Sequence, residues 1–358
     1  MGTGRQRAHS RCRDLGRNSN VHVLPSPAPH SPPSGLLQDP WRRLRFAHRV
    51  PRDSVHKSAT AEVLLTDAAH LGDDRFVVAA VWHRDHFLGH RGAPASDPVL
   101  LAETARQAAI HLSHRFHDIP EGRPFVLDEV AVELDEALPP ADREPLAVGL
   151  DIRCRRTAGP YRRTSLELDA VVRTAHCRPG RARVRWEVME PRRYAVLRKR
   201  GAPASGSPGE PVPAATRPVP TFRARRERDV LLAADTTRPD RWWLRLDPEH
   251  PVLFDHPSDH IPGMALVEAF RQAVLVGDGR GADTPATARH VRTLITRFTS
   301  FGELNLPVSI TLESAGGDHG AGPEPAFTLR AVQGDRELAS ARVVCATPPG
   351  HRPVGAAW

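Results

Sequence analysis

Along residues 181–188 the chain alternates. Ala182, Val184, Trp186 and Val188 fall on one face, and Arg181, Arg183 and Arg185 on the other. A period of two is that of a strand buried on one side. This strand runs on to 190, and extended β-rich runs precede it at 62–66, 76–82, 125–134, 146–153 and 165–173. A second set follows at 229–233, 242–246, 290–299, 306–313, 326–332 and 337–345. Polar turns at 71–74 and 238–240 separate the first two runs of each set. The pattern switches twice to helical spacing, at 97–107 (DPVLLAETARQ) and 262–272 (PGMALVEAFRQ). Each of these apolar segments carries Glu, then Arg three places on, then Gln: Glu103/Arg106/Gln107 and Glu268/Arg271/Gln272. Spacings of three and four place these polar groups on one helix face.

The match extends beyond the helices. Val63 precedes Glu103 by 40 residues and Val230 precedes Glu268 by 38, while Val130 and Ile295 each lie 27 residues after their glutamate. Each half therefore reads strand, strand, long apolar helix, then about four strands. That order predicts an α+β tandem double hotdog, each half an antiparallel sheet wrapped around one central helix. A ferredoxin-like fold would need a second helix per half, and no segment supplies one. The two halves should pair as a pseudo-dimer, because an open sheet edge is a liability.

Composition divides the chain further. Residues 1–49 hold nine arginines against two acids and lack hydrophobic period, which predicts a basic, disordered extension. The first hotdog is expected over 50–200, a Pro/Gly/Ala-rich linker over 201–221, the second hotdog over 222–348, and a tail over 349–358. The net charge of +8 invites a nucleic-acid reading, but only Lys57 and Lys199 of the 50 basic residues are lysine. The excess is thus an arginine bias of the coding sequence, and no helix-turn-helix, zinc finger or aromatic RNA-binding strand accompanies it. A basic surface suits an acidic carrier protein equally well. Arg192-Arg193 and Arg198-Lys199-Arg200 read as a solvated basic stretch, with carrier docking the sharper alternative. Cys12, Cys154, Cys177 and Cys345 have no metal-ligand spacing and follow no signal-peptide pattern, so they are expected to be reduced and structural in a cytoplasmic chain. No apolar run approaches the length of a membrane span.

The richest chemistry lies in HPVLFDHPSDHIPGMALVEAFRQ, residues 250–272. Here a His-rich loop runs into a helix. Pro262 and Gly263 suit a first turn, where Pro loses no hydrogen bond and Gly lets a ligand reach the backbone. The N–H groups at Gly263 and Met264 then offer partial positive charge to a carbonyl oxygen or phosphate. His256 above the helix and Glu268 within it form a candidate acid–base pair, with His260 beside them. In the first half His83, His86 and His90 occupy the matching loop without a Pro-Gly helix start, so that site looks weaker. No His-Glu-x-x-His or similar metal motif is present. Trp186, Trp242 and Trp243 read as strand-packing residues.

Phe254-Asp255-His256-Pro257, Pro262-Gly263-Met264 and Glu268-Ala269 with Gln272 resemble the active-site stretch of β-hydroxyacyl-carrier-protein dehydratases. The spacing from His to Glu is two residues shorter here, and Arg271 stands where that family has a small or apolar residue, which points away from simple dehydration. A wider resemblance covers nearly the whole chain beyond residue 49. It is carried by Val50-Pro51-Arg52, Val55-His56-Lys57, Ala61–Asp67, Asp97-Pro98, Ala102–Gln107, His250–Pro257, Asp259–Met264, Glu268-Ala269 and Arg271-Gln272. In these residues the chain resembles the A-factor biosynthesis hotdog family, the γ-butyrolactone autoregulator synthases of actinomycetes.

The resemblance implies an acyltransferase that moves a β-ketoacyl chain from acyl carrier protein to the hydroxyl of dihydroxyacetone phosphate, without metal or redox cofactor. It marks Glu103, Glu268 and Arg271 as functional positions. The chemistry needs a base (Glu268 or His256), oxyanion donors (Gly263 and Met264 N–H) and a cation for phosphate (Arg271 or Arg106). Glu103, Gln107, Gln272 and His260 complete the candidate set. Alternatives are a dehydratase or thioesterase acting on carrier-bound chains, or a non-catalytic acyl-binding or regulatory hotdog that binds acyl ligands or a transcriptional partner. The expected assembly is a monomer with its internal pseudo-dimer, or a homodimer of it.

Overall fold

The computed structural model describes residues 41–83, 88, 96–139, 144–158, 164–175, 177–201, 226–277, 290–314 and 325–346. The first half comprises β1 (Leu65–Gly72), β2 (Arg75–Trp82), α1 (Pro98–Phe116), β3 (Phe125–Leu134), β4 (Leu146–Ala158), β5 (Thr164–Arg173) and β6 (Gly180–Val188). A short helix, α2 (Pro191–Gly201), follows. The second half comprises β7 (Leu232–Ala234), β8 (Arg241–Leu244), α3 (Gly263–Gly277), β9 (His290–Phe298), β10 (Ser309–Ser314), β11 (Ala326–Gln333) and β12 (Arg336–Ala346).

The twelve strands of the described residues form one sheet in the order β1-β2-β4-β5-β6-β3-β9-β12-β11-β10-β8-β7. The second half of that order mirrors the first, so each half is a hotdog and the molecule a double hotdog. The seam is the antiparallel pair β3–β9, with Val130 opposite Thr296, Ala131 opposite Ile295 and Val132 opposite Leu294. The seam thereby turns one edge of each half into an interior strand. Asp97 caps α1, accepting from the Val99 N–H at 2.9 Å, and Pro98 occupies the first turn. Alanines at 102, 105, 108 and 109 are all buried, so α1 lies close against the wrapping sheet. Trp186, Trp242 and Trp243 are buried strand residues, and the Trp186 indole donates to Ser113 Oγ at 3.2 Å.

Three expectations need correction. The first strand of each half starts late, at Leu65 and Leu232 rather than at 62 and 229. The preceding residues leave the sheet because a buried amide on the helix replaces a strand partner. Gln107 accepts from Leu64 N–H and donates to the Glu62 carbonyl, both at 2.9 Å; Gln272 accepts from Leu231 N–H at 2.9 Å and donates to the Asp229 carbonyl at 2.8 Å. Gln107 and Gln272 are thus backbone anchors.

Residues 41–49 belong to the folded body and not to a disordered extension; residues 1–40 lie outside the described residues. Trp41, Leu44 and Phe46 form a small core with Val77, Ala79 and Val81 on the outer face of β2. Gly149 on the adjacent β4 makes room for it, since any Cβ there would collide with the Trp41 indole. Trp41→Ala is expected to cost about 3 kcal/mol of stability in urea unfolding, the usual scale for a buried Trp. A loss below about 0.5 kcal/mol would mean this flap contributes nothing.

The basic stretch after β6 is the third. It forms α2, and Arg198 is half-buried in an ion-pair network and so is not simply solvated: it donates to Glu303 at 2.8 and 2.9 Å and to Asp259 at 3.1 Å.

Candidate active site

The repeated Glu/Arg/Gln faces build two clusters of the same design. Arg106 makes a two-pronged bond to Glu103, at 2.7 and 2.8 Å, and Gln107 donates to the same carboxylate at 3.0 Å. Arg271 holds Glu268 at 2.7 and 2.5 Å, and Gln272 donates to it at 2.8 Å. The third charge differs. In the first cluster Lys57 Nζ lies 3.1 Å from Glu103, whereas in the second Asp97 lies 3.0 Å from Arg271. The first set therefore carries two cations and one carboxylate, and the second the reverse. Both are buried, so this excess charge is felt at low dielectric.

Only the first cluster faces the cavity, a space of about 550 Å³. Its lining crosses the pseudo-dimer. The first half supplies His56, Lys57, Glu103 and Arg106; the second supplies Asp255, His256, His260 and the helix start Pro262-Gly263-Met264. Phe125, Leu127, Trp186, Leu253 and Phe298 give it apolar walls. The sequence expectation paired His256 with Glu268 of its own helix. The fold brings it instead to the same cavity as Glu103 of the other helix, because the His-bearing loop of the second half reaches across the seam. Glu268, Arg271, Gln272 and Gln107 do not line this cavity, and His86 and His90 lie outside the described residues.

Asp255 locks the crossing. Its carboxylate accepts from Ser58 N–H at 2.7 Å and Ala59 N–H at 2.9 Å, tying the His-bearing loop to the segment that carries Lys57. Gly263 is closely packed: a Cβ would meet Phe298 at 3.2 Å and Leu127 at 3.3 Å. Ala265 N–H turns to the Pro262 carbonyl at 2.9 Å, while the Gly263 and Met264 N–H groups precede the first turn's carbonyls and lie at the positive end of the helix dipole.

The electrostatics separate the roles. Burial would push the Glu103 carboxyl up, but Arg106 and Lys57 more than offset it and hold it well below the usual carboxylate range. Glu103 is therefore a fixed anion that positions two cations, and a poor proton acceptor. His256 is lowered, first by burial and then by Arg106 and Lys57, so its imidazole is neutral at pH 7 and able to accept a proton. His56 is lowered to about 3, mainly by burial, with Arg106 adding to it. Its Nε2 lies 2.9 Å from His114 Nε2, whose Nδ1 in turn lies 2.7 Å from the Ile119 carbonyl. That carbonyl fixes the proton on His114 Nδ1, so His56 donates from Nε2 and turns an acceptor nitrogen elsewhere. His260 Nδ1 lies 2.7 Å from Asp259 and 3.3 Å from the Tyr194 hydroxyl.

A domain profile described as the A-factor biosynthesis hotdog domain matches residues 39–190 and 218–348. The chain belongs to this family. Family members with similar sequences include the 2-oxo-3-(phosphooxy)propyl 3-oxoalkanoate synthase of Streptomyces virginiae, 36% identical over 272 residues, covering 74% of this chain and 87% of that protein. The enzyme of the same name from Streptomyces griseus is 33% identical, covering 77% of this chain and 87% of that protein. That from Streptomyces coelicolor is 32% identical, covering 72% and 80%.

Within this A-factor biosynthesis hotdog chain, three residues line the cavity that the helix faces did not reveal: Lys57, His56 and Asp255. A signal for Lys57 existed, since it is one of two lysines in an arginine-dominated sequence. His56 also has φ 52°, the left-handed region that non-glycine residues seldom occupy. Among the described residues no cluster of three His, Cys, Asp or Glu is placed to hold a metal. No described helix is long and apolar enough to cross a membrane. Cys154 is buried and pushed up to about 12 by that burial, a structural thiol.

Proposed function

We propose that this chain transfers a β-ketoacyl group from acyl carrier protein to the hydroxyl of dihydroxyacetone phosphate, at the cavity between its halves. The observation that carries the reading is the charge difference between the repeats. The cluster with two cations on one carboxylate, Lys57 and Arg106 on Glu103, opens into the cavity beside a neutral His256 and a helix N-terminus, and the nearby Asp255 carboxylate is taken up by the Ser58 and Ala59 N–H groups. A phosphorylated acceptor takes the cations, and the apolar walls take the acyl chain.

The step balances on these groups. His256 accepts the proton of the acceptor hydroxyl as its oxygen bonds to the thioester carbonyl carbon. The carbonyl oxygen gains negative charge against the Gly263 and Met264 N–H groups. Collapse breaks the C–S bond, the departing thiolate takes the proton back from His256, and a phosphorylated β-ketoester is released. Apolar walls that exclude water favour the alcohol over hydrolysis. The names of the Streptomyces relatives describe this product class and support the reading. Because both halves line the cavity, one chain with its internal pseudo-dimer is sufficient for the reaction, in the cytoplasm where the carrier thioester is made.

The test is intact-mass and product analysis of β-ketoacyl carrier protein incubated with the purified protein, with and without dihydroxyacetone phosphate. A phosphorylated ester formed only when both are present supports transfer. Deacylation independent of acceptor would replace the reading with a thioesterase.

A further inference from the structure

Helix α2 runs along the mouth of the cavity and presents two different faces. Its inner face is anchored to the second half: Tyr194 donates to Asp259 at 2.8 Å, and Arg198 bridges Asp259 and Glu303 while its guanidinium lies 5.2 Å from the Phe301 ring centroid. Its outer stripe, at spacings of three and four, is Arg192, Ala195, Val196 and Lys199, all exposed. The helix contains no acidic residue. Among the described residues only four large apolar side chains are exposed, and two are neighbours here, Val196 at 48% and Leu197 at 38%. Leu197 also lines the cavity. An anchored helix that turns apolar side chains outward between two cations, at the entrance to a site, is built to be covered by an acidic partner.

We propose that this outer stripe of α2 is the docking face for the acyl carrier protein, an acidic partner whose thioester arm enters the cavity beside Leu197. The inference rests on the acyl-transfer reading and adds where the donor binds. Arg192 and Lys199 steer the acidic surface, Val196 fills its apolar centre, and the anchor at Arg198 fixes the angle of approach.

The test compares wild type with Arg192→Glu/Lys199→Glu, two exposed changes that leave the anchor and the cavity intact. Carrier affinity is read by fluorescence anisotropy of labelled acyl carrier protein, and catalysis by turnover of an acyl-N-acetylcysteamine thioester. The expected result is at least about a tenfold weaker carrier Kd at low salt, with the gap narrowing at about 1 M salt, where the screening length is about 3 Å. Turnover of the small thioester should be unchanged. An unchanged carrier Kd, or no carrier binding by wild type, would overturn the docking face. Wild type that binds carrier through this face but transfers nothing would overturn the acyl-transfer reading and leave the docking face standing.

Discussion

His256→Asn lowers acyl transfer by about 10²–10⁴-fold, the contribution expected of a positioned general base, with little change in donor binding. Asn keeps the size and polarity of the side chain but cannot accept the proton of the acceptor hydroxyl at neutral pH. His260→Asn should cost far less, because the His260 Nδ1 is already engaged by Asp259 and Tyr194. The pH profile carries the same signature. The base works unprotonated, and burial together with Arg106 and Lys57 lowers its pKa below 6.5. The acid limb should therefore lie at lower pH than an ordinary histidine would give, with activity falling as pH drops through the lowered value. Stopped initial rates across pH 5–8 on purified variants would show it. A limb unchanged in position in His256→Asn would assign the proton transfer elsewhere.

Lys57→Met raises the KM for the phosphorylated acceptor by about 10- to 100-fold, the scale of one lost charge-assisted hydrogen bond, and leaves the KM for the acyl donor nearly unchanged. The chain should still fold, since Glu103 keeps the two-pronged Arg106 bond and Gln107. Losing one of three partners of a buried carboxylate should nonetheless lower Tm by several degrees. A second effect separates this from simple loss of packing. Lys57 is among the charges that lower His256, so its removal should move the acid limb of the rate profile upward. Equal rises in both KM values, with no movement of that limb, would remove Lys57 from the acceptor site.

Much of the fold was legible because the same pattern was written twice. Period-two strands, two apolar helices with matched Glu/Arg/Gln faces and matched spacings to Val130 and Ile295 led to the double hotdog. The strand starts at 62 and 229 were misplaced because alternation records only which side chains are buried. It does not tell whether a backbone N–H meets a neighbouring strand or the Gln107 or Gln272 amide. Helix α2 escaped notice because its charges dominate its composition, and its stability comes from Arg198 and Tyr194 reaching acids more than 60 residues away. The candidate site was legible in its parts and not in its assembly. His256, Gly263, Met264, Arg106 and Glu103 were identified, but a search within one half joins His256 to Glu268. The partner across the seam is set by strand pairing between β3 and β9, which local pattern does not contain. The contrast between Lys57 and Asp97 as third charges is likewise tertiary information.

The most direct measurement is a side-by-side comparison of acceptor-dependent transfer by Glu103→Gln and Glu268→Gln, each first checked for folding by circular dichroism. Both glutamates have the same Arg and Gln partners, but Glu103→Gln leaves Lys57 and Arg106 without their carboxylate whereas Glu268→Gln leaves Arg271 paired with Asp97, so the folding check includes the Tm of each variant. If the cavity between the halves is the working site, Glu103→Gln loses at least about a hundredfold in kcat/KM, a few kcal/mol of transition-state binding, and Glu268→Gln stays within about threefold of wild type. The opposite ranking would place the chemistry at the Glu268 cluster and contradict the account.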